Sequence, residues 1–255
     1  MIAKSISIGP LTFHLYGIII AIGILAGWYV AQKRAHLYKI PKSLLEDPIL
    51  LLPLVLSIVG ARIYHVWDYW SFYRNNLWDI INITNGGLGI WGGLIGIFVG
   101  FYIVAKVKKV NLISILDLAA PSLLLGQSIG RIGNYINKEG FGPPTQAPWG
   151  VYIPPEDRPL NYINFSHFHP TFFYEAIIDL IFFFLLIFLA KKFNKPAQAF
   201  ALYLILYSIG RFAVEFYRID TATVDTIKVA QVLSVIAFFT GIVIFARQKK
   251  AKIRG

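Results

Sequence analysis

The polar segment at residues 130–142 is the part of the chain whose residue types most clearly suggest chemistry. It reads Gly-Arg-Ile-Gly-Asn-Tyr-Ile-Asn-Lys-Glu-Gly-Phe-Gly and follows a long apolar run. If the helix formed by that run continues for one more turn, Arg131 and Asn134 share a face, and the glycines let a ligand approach the backbone. A planar guanidinium beside an amide suits a phosphate. An arginine that reaches the membrane surface or pairs with Glu139 is the simpler alternative.

A second polar cluster falls within a later apolar stretch. Tyr207, Arg211, Glu215 and Arg218 follow one another at intervals of four, four and three residues, so a helix presents them as one stripe. Because charges at membrane depth are costly, this stripe must face the interior of a helix bundle or a wet cavity. Two cations around one anion suit a phosphate ligand. A structural ladder, in which Glu215 pairs with either arginine, is the competing interpretation.

Glycines are concentrated between residues 86 and 100. Gly92, Gly96 and Gly100 repeat the four-residue spacing of small residues that lets membrane helices pack closely. A phosphate-binding glycine loop is disfavoured, because the segment lacks the lysine and the preceding strand of such loops. We therefore predict that these glycines serve packing.

Metal and thiol chemistry are not indicated by the residues of the chain. The five histidines show neither the helical pairing nor the carboxylate motif that is typical of metal ligands, so we predict no metal site and no cofactor. The chain contains no Cys, which excludes disulfides, a cysteine nucleophile and thiolate ligands. Any thiol in the reaction must come from a substrate.

The elements that position these residues are membrane helices. Of the 255 residues, 56% are hydrophobic and only 15% are charged, and the mean hydropathy is +0.61, which indicates a bilayer protein. The net charge of +11 arises from short clusters between apolar runs, so no nucleic-acid partner is predicted. Stretches long enough to span a bilayer predict an all-α bundle of seven transmembrane helices at residues 13–32, 48–67, 88–105, 112–130, 170–190, 197–217 and 226–246.

The distribution of basic residues predicts the orientation of this bundle. The loops after the first, third, fifth and seventh segments hold 15 of the 24 Lys and Arg residues, and cytoplasmic loops carry such an excess. We therefore expect the N-terminus outside, the C-terminus in the cytoplasm and an ordered extracytoplasmic cap loop at about 131–169. The first helix is expected to be retained rather than cleaved as a signal peptide. No repeat or soluble region is evident, so residues 1–255 are predicted to form a single membrane domain.

The segment at 130–142 closely resembles the signature of the bacterial prolipoprotein diacylglyceryl transferases. Weaker resemblances, persuasive through their order and spacing, extend along the chain: Leu15-Tyr16-Gly17, the glycine-rich third helix, His169-Pro170-Thr171 with Tyr174-Glu175, and Gly210-Arg211-Phe212 with Glu215 and Arg218. The resemblance implies an enzyme of the bacterial inner membrane whose active site faces the outer leaflet. It would transfer the diacylglyceryl group of phosphatidylglycerol to the lipobox cysteine thiol of a prelipoprotein signal peptide and release glycerol 1-phosphate.

The resemblance also implies roles for individual residues. Arg131 would bind the phosphatidylglycerol head group, while Arg211 and Glu215 would form a second essential pair. Glu139 would be the third catalytic residue beside the two arginines and would also shape the site. The remaining predicted site residues shape the site or bind the substrate: Asn134, Gly142, Tyr16, Tyr207, Arg218 and His169. Membrane lipids are a further expected partner.

Trp91 departs from the family pattern, because many members have a His at this position, proposed to activate the thiol. A Trp cannot act as a base. Since cations lower the pKa of a nearby thiol, we hypothesise that Arg131 and Arg211 stabilise both the thiolate and the phosphate leaving group. Glu139, His14 and the phosphate itself remain open as acceptors of the proton.

Two other classes of membrane protein fit the sequence less well. A channel or transporter predicts broken helices paired between two halves or a ring of like residues, and neither is evident. A non-catalytic scaffold explains the glycines and aromatic residues but does not require a cation-rich stripe.

Overall fold

A computed structural model describes residues 4–9, 11–82 and 86–250 of the chain, and these are mostly helical. Within them the α-helices are α1 (Leu15–Arg34), α2 (Lys42–Leu45), α3 (Leu51–Asp68), α4 (Trp70–Tyr73), α5 (Ile90–Val107), α6 (Leu112–Asn137), α7 (Thr171–Ala190), α8 (Gln198–Glu215) and α9 (Val229–Lys250). Three antiparallel strand pairs connect them: β1 (Ser5–Ile8) with β2 (Leu11–His14), β3 (Val151–Tyr152) with β4 (His167–Phe168), and β5 (Thr223–Val224) with β6 (Ile227–Lys228).

Each of the seven predicted segments coincides with a long helix. Six of these helical segments, those that contain α1, α3, α5, α6, α7 and α9, are long and apolar enough to cross a membrane. This composition fits a multi-pass membrane protein. Helix α8 is not among the six, and it carries Arg211 and Glu215 near its C-terminal end.

The chain forms two compact units, one comprising the residues up to Arg34 and from Leu116 onward, the other Ala35–Ile115. In the second unit, α3 and α5 approach each other through the predicted glycine stripe. A Cβ atom on Gly92 or Gly96 would overlap the backbone carbonyl oxygens of Gly60 and Leu56. The packing role predicted for these glycines is confirmed, whereas the single membrane domain stays a prediction.

Arg62 of α3 organises the segment that leads into α5. Its Nε donates to the carbonyl oxygen of Ile80 at 2.9 Å, and its Nη1 donates to those of Gly86 and Gly87 at 2.7 and 2.8 Å. Its Nη2 donates to the carbonyl oxygens of Asp79 and Asn82. All the donor capacity of this buried guanidinium is thus directed at backbone carbonyls.

In the first unit, Asp117 of α6 positions helix α8. Its carboxylate is buried and accepts hydrogen bonds from the backbone N–H groups of Ala197 and Phe200, at 2.6 and 2.9 Å. A carboxylate at this end of a helix satisfies free N–H groups and opposes the positive end of the helix dipole. The acidic residue that interrupts an apolar segment is therefore the N-terminal cap of the helix that carries Arg211.

Helix α6 extends farther than predicted. The sequence prediction ended this segment at residue 130, but the helix continues through Pro121 and ends at Asn137. The two extra turns keep Arg131 and Asn134 on one face. Residues from other parts of the chain satisfy the polar groups of these side chains, so the helix can continue through them. The cap loop correspondingly begins at about residue 138.

The cap loop is ordered around an apolar core of its own. Phe141, Ile153, Phe168 and Phe172 are each at most 3% exposed and pack together, and the β3–β4 pair closes the loop through Val151 and Phe168. The predicted order of this segment is confirmed. Burial of these side chains fixes the path of the chain on both sides of residues 138–142.

Candidate functional site

The polar residues of the 130–142 segment form a connected chain of hydrogen bonds. Arg131 Nη1 donates to Asn134 Oδ1 at 3.1 Å, which confirms that the two residues share a helix face. Asn134 Nδ2 in turn donates to Glu139 Oε1 at 3.0 Å, and Asn137 Nδ2 donates to the same oxygen at 3.4 Å. Glu139 is therefore held by two amides. The predicted alternative, a pair between Arg131 and Glu139, does not form.

Glu175 near the start of α7 joins the two predicted arginine clusters. Its Oε1 pairs with Arg131 Nη2, and its Oε2 lies 3.0 Å from Arg211 Nη1. The carboxylate is buried, but 20% of the Arg131 side chain and 15% of the Arg211 side chain remain exposed. The two guanidinium groups thus meet on one carboxylate, and neither arginine side chain is fully buried.

The stripe on α8 divides into two ion pairs. Arg211 Nη2 lies 2.7 Å from Glu215 Oε2 one turn later, and Glu215 is fully buried. Arg218 pairs instead with Asp220, at 3.2 Å. The sequence left the partner of Glu215 open, and the structure selects Arg211. Arg218 lies beyond the end of the helix and belongs to a separate set of contacts.

The turn after α6 has an uncommon backbone conformation. Lys138 and Gly140 have φ angles of +58° and +71°, a region that favours glycine. Burial lowers the pKa of the Lys138 ammonium group, and its Nζ lies 4.0 Å from the centroid of the Tyr135 ring. The turn directs Glu139 back toward the end of α6.

Gly142 and His169 are joined through the backbone. The Gly142 N–H donates to the His169 carbonyl oxygen at 2.8 Å. A Cβ on Gly142 would lie 2.7 Å from the carbonyl oxygen of Tyr217, so only glycine fits there. The side chain of His169 is held by a hydrogen bond between its Nδ1 and the Tyr174 hydroxyl, 2.9 Å apart, and Trp149 Nε1 donates to that hydroxyl at 2.9 Å.

The two predicted tyrosines lie beside the arginines. Tyr16, at the start of α1, covers Gly133 so closely that a Cβ there would lie 2.5 Å from its ring, and Tyr16 interacts electrostatically with Glu139 and Arg131. Tyr207 interacts electrostatically with Glu175 and both arginines. Its ring stacks on that of Tyr203 at a centroid distance of 5.8 Å.

The structure therefore unites most of the predicted site residues. A continuous series of contacts runs through Glu139, Asn134, Arg131, Glu175, Arg211 and Glu215. His169 with Gly142, and Arg218 with Asp220, form two neighbouring sets. Trp91 is 40% exposed and belongs to the other unit.

Glu175 is the residue of this network that we did not assign to the site from sequence. A signal was present, since Glu175 and Asp179 stand one helical turn apart within the strongly apolar segment 170–190, and ionisable residues inside such segments are functional candidates. Asp179 is also buried, and its Oδ2 has no hydrogen-bond partner among the described residues.

The two arginines of this site are already paired with carboxylates. Two arginines face two glutamates, so an anionic ligand binds them only by replacing carboxylate contacts. The Nε of Arg131 is buried without a hydrogen-bond partner among the residues that the structure describes, so one donor of this guanidinium is unsatisfied. No group of three or more His, Asp or Glu residues suited to a metal ion occurs in the described ranges.

Comparison with known proteins identifies the family. A family model described as prolipoprotein diacylglyceryl transferase matches residues 3–247. The phosphatidylglycerol–prolipoprotein diacylglyceryl transferase of Staphylococcus haemolyticus is 42% identical over 93% of this chain and 85% of its own length. The proteins of the same name from Finegoldia magna and Nostoc are 39% and 41% identical, covering 94% and 93% of this chain and 92% and 86% of their own lengths. The chain therefore belongs to the prolipoprotein diacylglyceryl transferase family.

Proposed function

We propose that this protein transfers the diacylglyceryl group of phosphatidylglycerol to the cysteine thiol of a prelipoprotein lipobox, the first step of lipoprotein maturation. The observation that carries the proposal is the meeting of Arg131 and Arg211 on one buried carboxylate, with both arginine side chains partly exposed. Membership of the family, whose named relatives act on phosphatidylglycerol and prolipoprotein, supports the choice of substrates.

In the proposed reaction, the cysteine sulfur of the prelipoprotein attacks the carbon of the diacylglyceryl group that is bonded to the phosphate oxygen. The C–S bond forms as the C–O bond breaks, and the electron pair of the C–O bond leaves on the phosphate of glycerol 1-phosphate. Arg131 and Arg211 bind this phosphate and stabilise the negative charge that develops on it, a role worth about 3–4 kcal/mol for a well-placed donor. The same cations lower the pKa of the incoming thiol, which is about 8.5 when free.

The other site residues hold or line this phosphate site. Asn134 and Glu139 extend the network of Arg131, and Glu215 holds Arg211. In the proposal, Tyr16 and Tyr207 contact the head group, and Gly142, His169 and Arg218 shape the side of the site formed by the cap loop. The thiol proton goes to Glu139, to His14 or to the departing phosphate.

The proposed placement is the bacterial inner membrane, with seven spans that include α8. The cap loop and the arginines would face the outer leaflet, and the C-terminus the cytoplasm. Support comes from the basic loops and from α8, whose charged residues pair with α7 inside one unit. A helix whose charges are satisfied by neighbours can cross a bilayer although its composition is less apolar.

This orientation can be tested with single cysteines, since the chain has none of its own. Asp157→Cys lies in the cap loop and Lys195→Cys in the loop before α8. We expect a membrane-impermeant maleimide to label only the first in spheroplasts and both after lysis. Labelling of only the second in intact spheroplasts would reverse the orientation.

The activity is tested with purified protein, vesicles of phosphatidylglycerol and a lipobox peptide, by the mass of the peptide. We expect the mass to increase by one diacylglyceryl group, and a peptide with Ser in place of Cys to stay unmodified. Arg131→Lys and Arg211→Lys keep the charge but lose the planar fork, and each is expected to lower turnover at least tenfold. An unmodified Cys peptide contradicts the proposed function, and near-normal turnover in both variants contradicts the role of the two arginines.

A further inference from the structure

Two consecutive residues after α8 reach the two halves of the candidate site. Asp220 Oδ2 accepts a hydrogen bond from the backbone N–H of Gly140 at 2.6 Å. The hydroxyl of Thr221 donates to Oε1 of Glu215. One residue thus contacts the 130–142 segment, and its neighbour contacts the carboxylate that holds Arg211. Both lie in the hairpin of residues 216–228, which contains β5 and β6.

The contacts at Gly140 fix the turn that carries Glu139. The N–H of Gly140 is held by Asp220 and its carbonyl oxygen by the Thr171 hydroxyl. A Cβ on Gly140 would lie 3.3 Å from Arg218 Nη2, so the guanidinium of Arg218 covers this glycine while it pairs with Asp220. Because both the N–H and the carbonyl oxygen of Gly140 are bonded, the turn is held in one orientation. This orientation directs Glu139 to the side-chain amides of Asn134 and Asn137.

The contact at Glu215 fixes the rotation of a buried carboxylate. One oxygen of Glu215 accepts from Thr221 and the other faces Arg211 at 2.7 Å. Lys228 Nζ donates to the carbonyl oxygens of Glu215 and Arg218, at 2.5 and 2.7 Å, and so closes the hairpin onto the end of α8. The hairpin thereby sets which oxygen of Glu215 faces the guanidinium group of Arg211.

We propose that Asp220 and Thr221 are positioning residues of the transferase, and that the hairpin holds the Glu139 turn and the Arg211–Glu215 pair in register. The inference rests on the proposed function. Neither residue needs to touch the substrate. Asp220 is exposed and Thr221 is half-buried, but the residues that they bond, Gly140 and Glu215, are buried, so replacing either one disturbs the geometry of the site and leaves a buried group without its partner. Small displacements of catalytic groups are known to cost up to about 100-fold in rate.

The test compares disruptive with conservative variants in the peptide transfer assay. We expect Asp220→Ala and Thr221→Val each to lower kcat about tenfold at a temperature where the variant is fully folded, with less than a twofold change in KM for phosphatidylglycerol. Each melting temperature is expected to fall slightly, because a buried group loses a hydrogen bond. Thr221→Ser keeps the hydroxyl, and Asp220→Asn keeps an acceptor oxygen for the Gly140 N–H and gives up only the pair with Arg218, so both are expected to stay within about threefold of the wild type.

Thr226→Val is the matched control, because it makes the same change at the exposed tip of the same hairpin and is expected to leave kcat unchanged. Wild-type kcat in both Asp220→Ala and Thr221→Val overturns the inference. It is also overturned if the conservative variants lose as much activity as the disruptive ones, or if the lost activity equals the fraction of protein that is unfolded at the assay temperature. A wild-type protein that transfers nothing refutes the proposed function instead.

Discussion

Each of the two units contains arginines that are held by several protein groups, but these arginines are satisfied in opposite ways. Arg62 gives its hydrogen bonds to backbone carbonyls between Asp79 and Gly87. Arg131 and Arg211 are held mainly by carboxylates and keep part of their surface exposed. A backbone carbonyl cannot leave without unfolding a segment, whereas a carboxylate contact can be exchanged for a phosphate contact. The comparison separates an arginine that builds the fold from arginines that can bind a ligand.

The largest expected effect comes from removing the carboxylate that joins the two arginines. In Glu175→Gln the amide nitrogen faces one guanidinium, donor against donor, so one arginine loses its partner in a buried site. We expect kcat/KM to fall at least 100-fold, which corresponds to about 2.7 kcal/mol of transition-state stabilisation. The initial rate of peptide transfer measures this.

Asp179→Asn is the matched control, one turn deeper on the same helix. It removes a buried carboxylate whose Oδ2 has no hydrogen-bond partner in the described part of the chain, and we expect activity within about threefold of the wild type because no ion pair is lost. If Glu175→Gln keeps a third or more of the activity, the arginines do not depend on their shared carboxylate, and the contrast with Arg62 fails.

A smaller effect, on stability instead of catalysis, is expected for Arg62→Lys. Lysine has three donors where arginine has five, so at least two carbonyl oxygens lose their partner, at about 1–3 kcal/mol for each buried group. We expect a melting temperature lower by several degrees in detergent, with normal activity per folded molecule. Arg74→Lys, at an exposed site in the same unit, should melt as the wild type does. A variant that melts normally but loses activity would place Arg62 with the functional arginines.

The smallest effect concerns an ion pair at the surface. The hydrogen bond from Lys108 lowers the pKa of Asp47, as does the backbone N–H of Ile49, which lies 2.9 Å away. Because the folded pKa lies below the unfolded value of about 3.9, the stabilisation is present above that value and is lost as the pH falls through the folded pKa.

Asp47→Asn should therefore weaken the decline of stability below about pH 4, as followed by unfolding in detergent at several pH values. Lys108→Gln should have a similar but weaker consequence, because the Ile49 N–H still holds the carboxylate. An unchanged pH dependence in both variants would show that a solvated pair contributes nothing, in contrast to the buried arginine pairs.

The positions of the helices were predictable because long apolar runs report them directly. The pairing of Arg211 with Glu215 was also within reach, since both residues lie on one helix at adjacent turns. The extension of α6 to Asn137 was not, because the residues that hold Arg131 there include Glu175, which is 44 positions away in sequence. Local patterns carry no information about such a partner.

The partners of Arg218 and Arg62 were not predictable either, because they depend on where the chain turns. The four-residue periodicity of the α8 stripe suggested that Arg218 continues it, but the helix ends at Glu215 and the chain turns, so Asp220 becomes the partner. Arg62 stood out in the sequence only as one of the basic residues outside the main clusters. Its carbonyl partners lie 17–25 positions later, between Asp79 and Gly87. Turns and loops bring these residues together, and their geometry is specified by tertiary contacts.

The cap that Asp117 places on α8 has a consequence for the membrane depth of Arg211. At 1.5 Å per residue, the capped N–H of Ala197 lies about 21 Å along the helix axis from Arg211. The helix is thus held by α6 at one end and by α7 at the other. In the proposed placement, in which α8 spans the bilayer, the depth of the Arg211 guanidinium is set by its distance from the Asp117 carboxylate at the other end of the helix. In that placement, thinner or thicker lipid would change what surrounds α8 but not the position of Arg211 relative to Glu175.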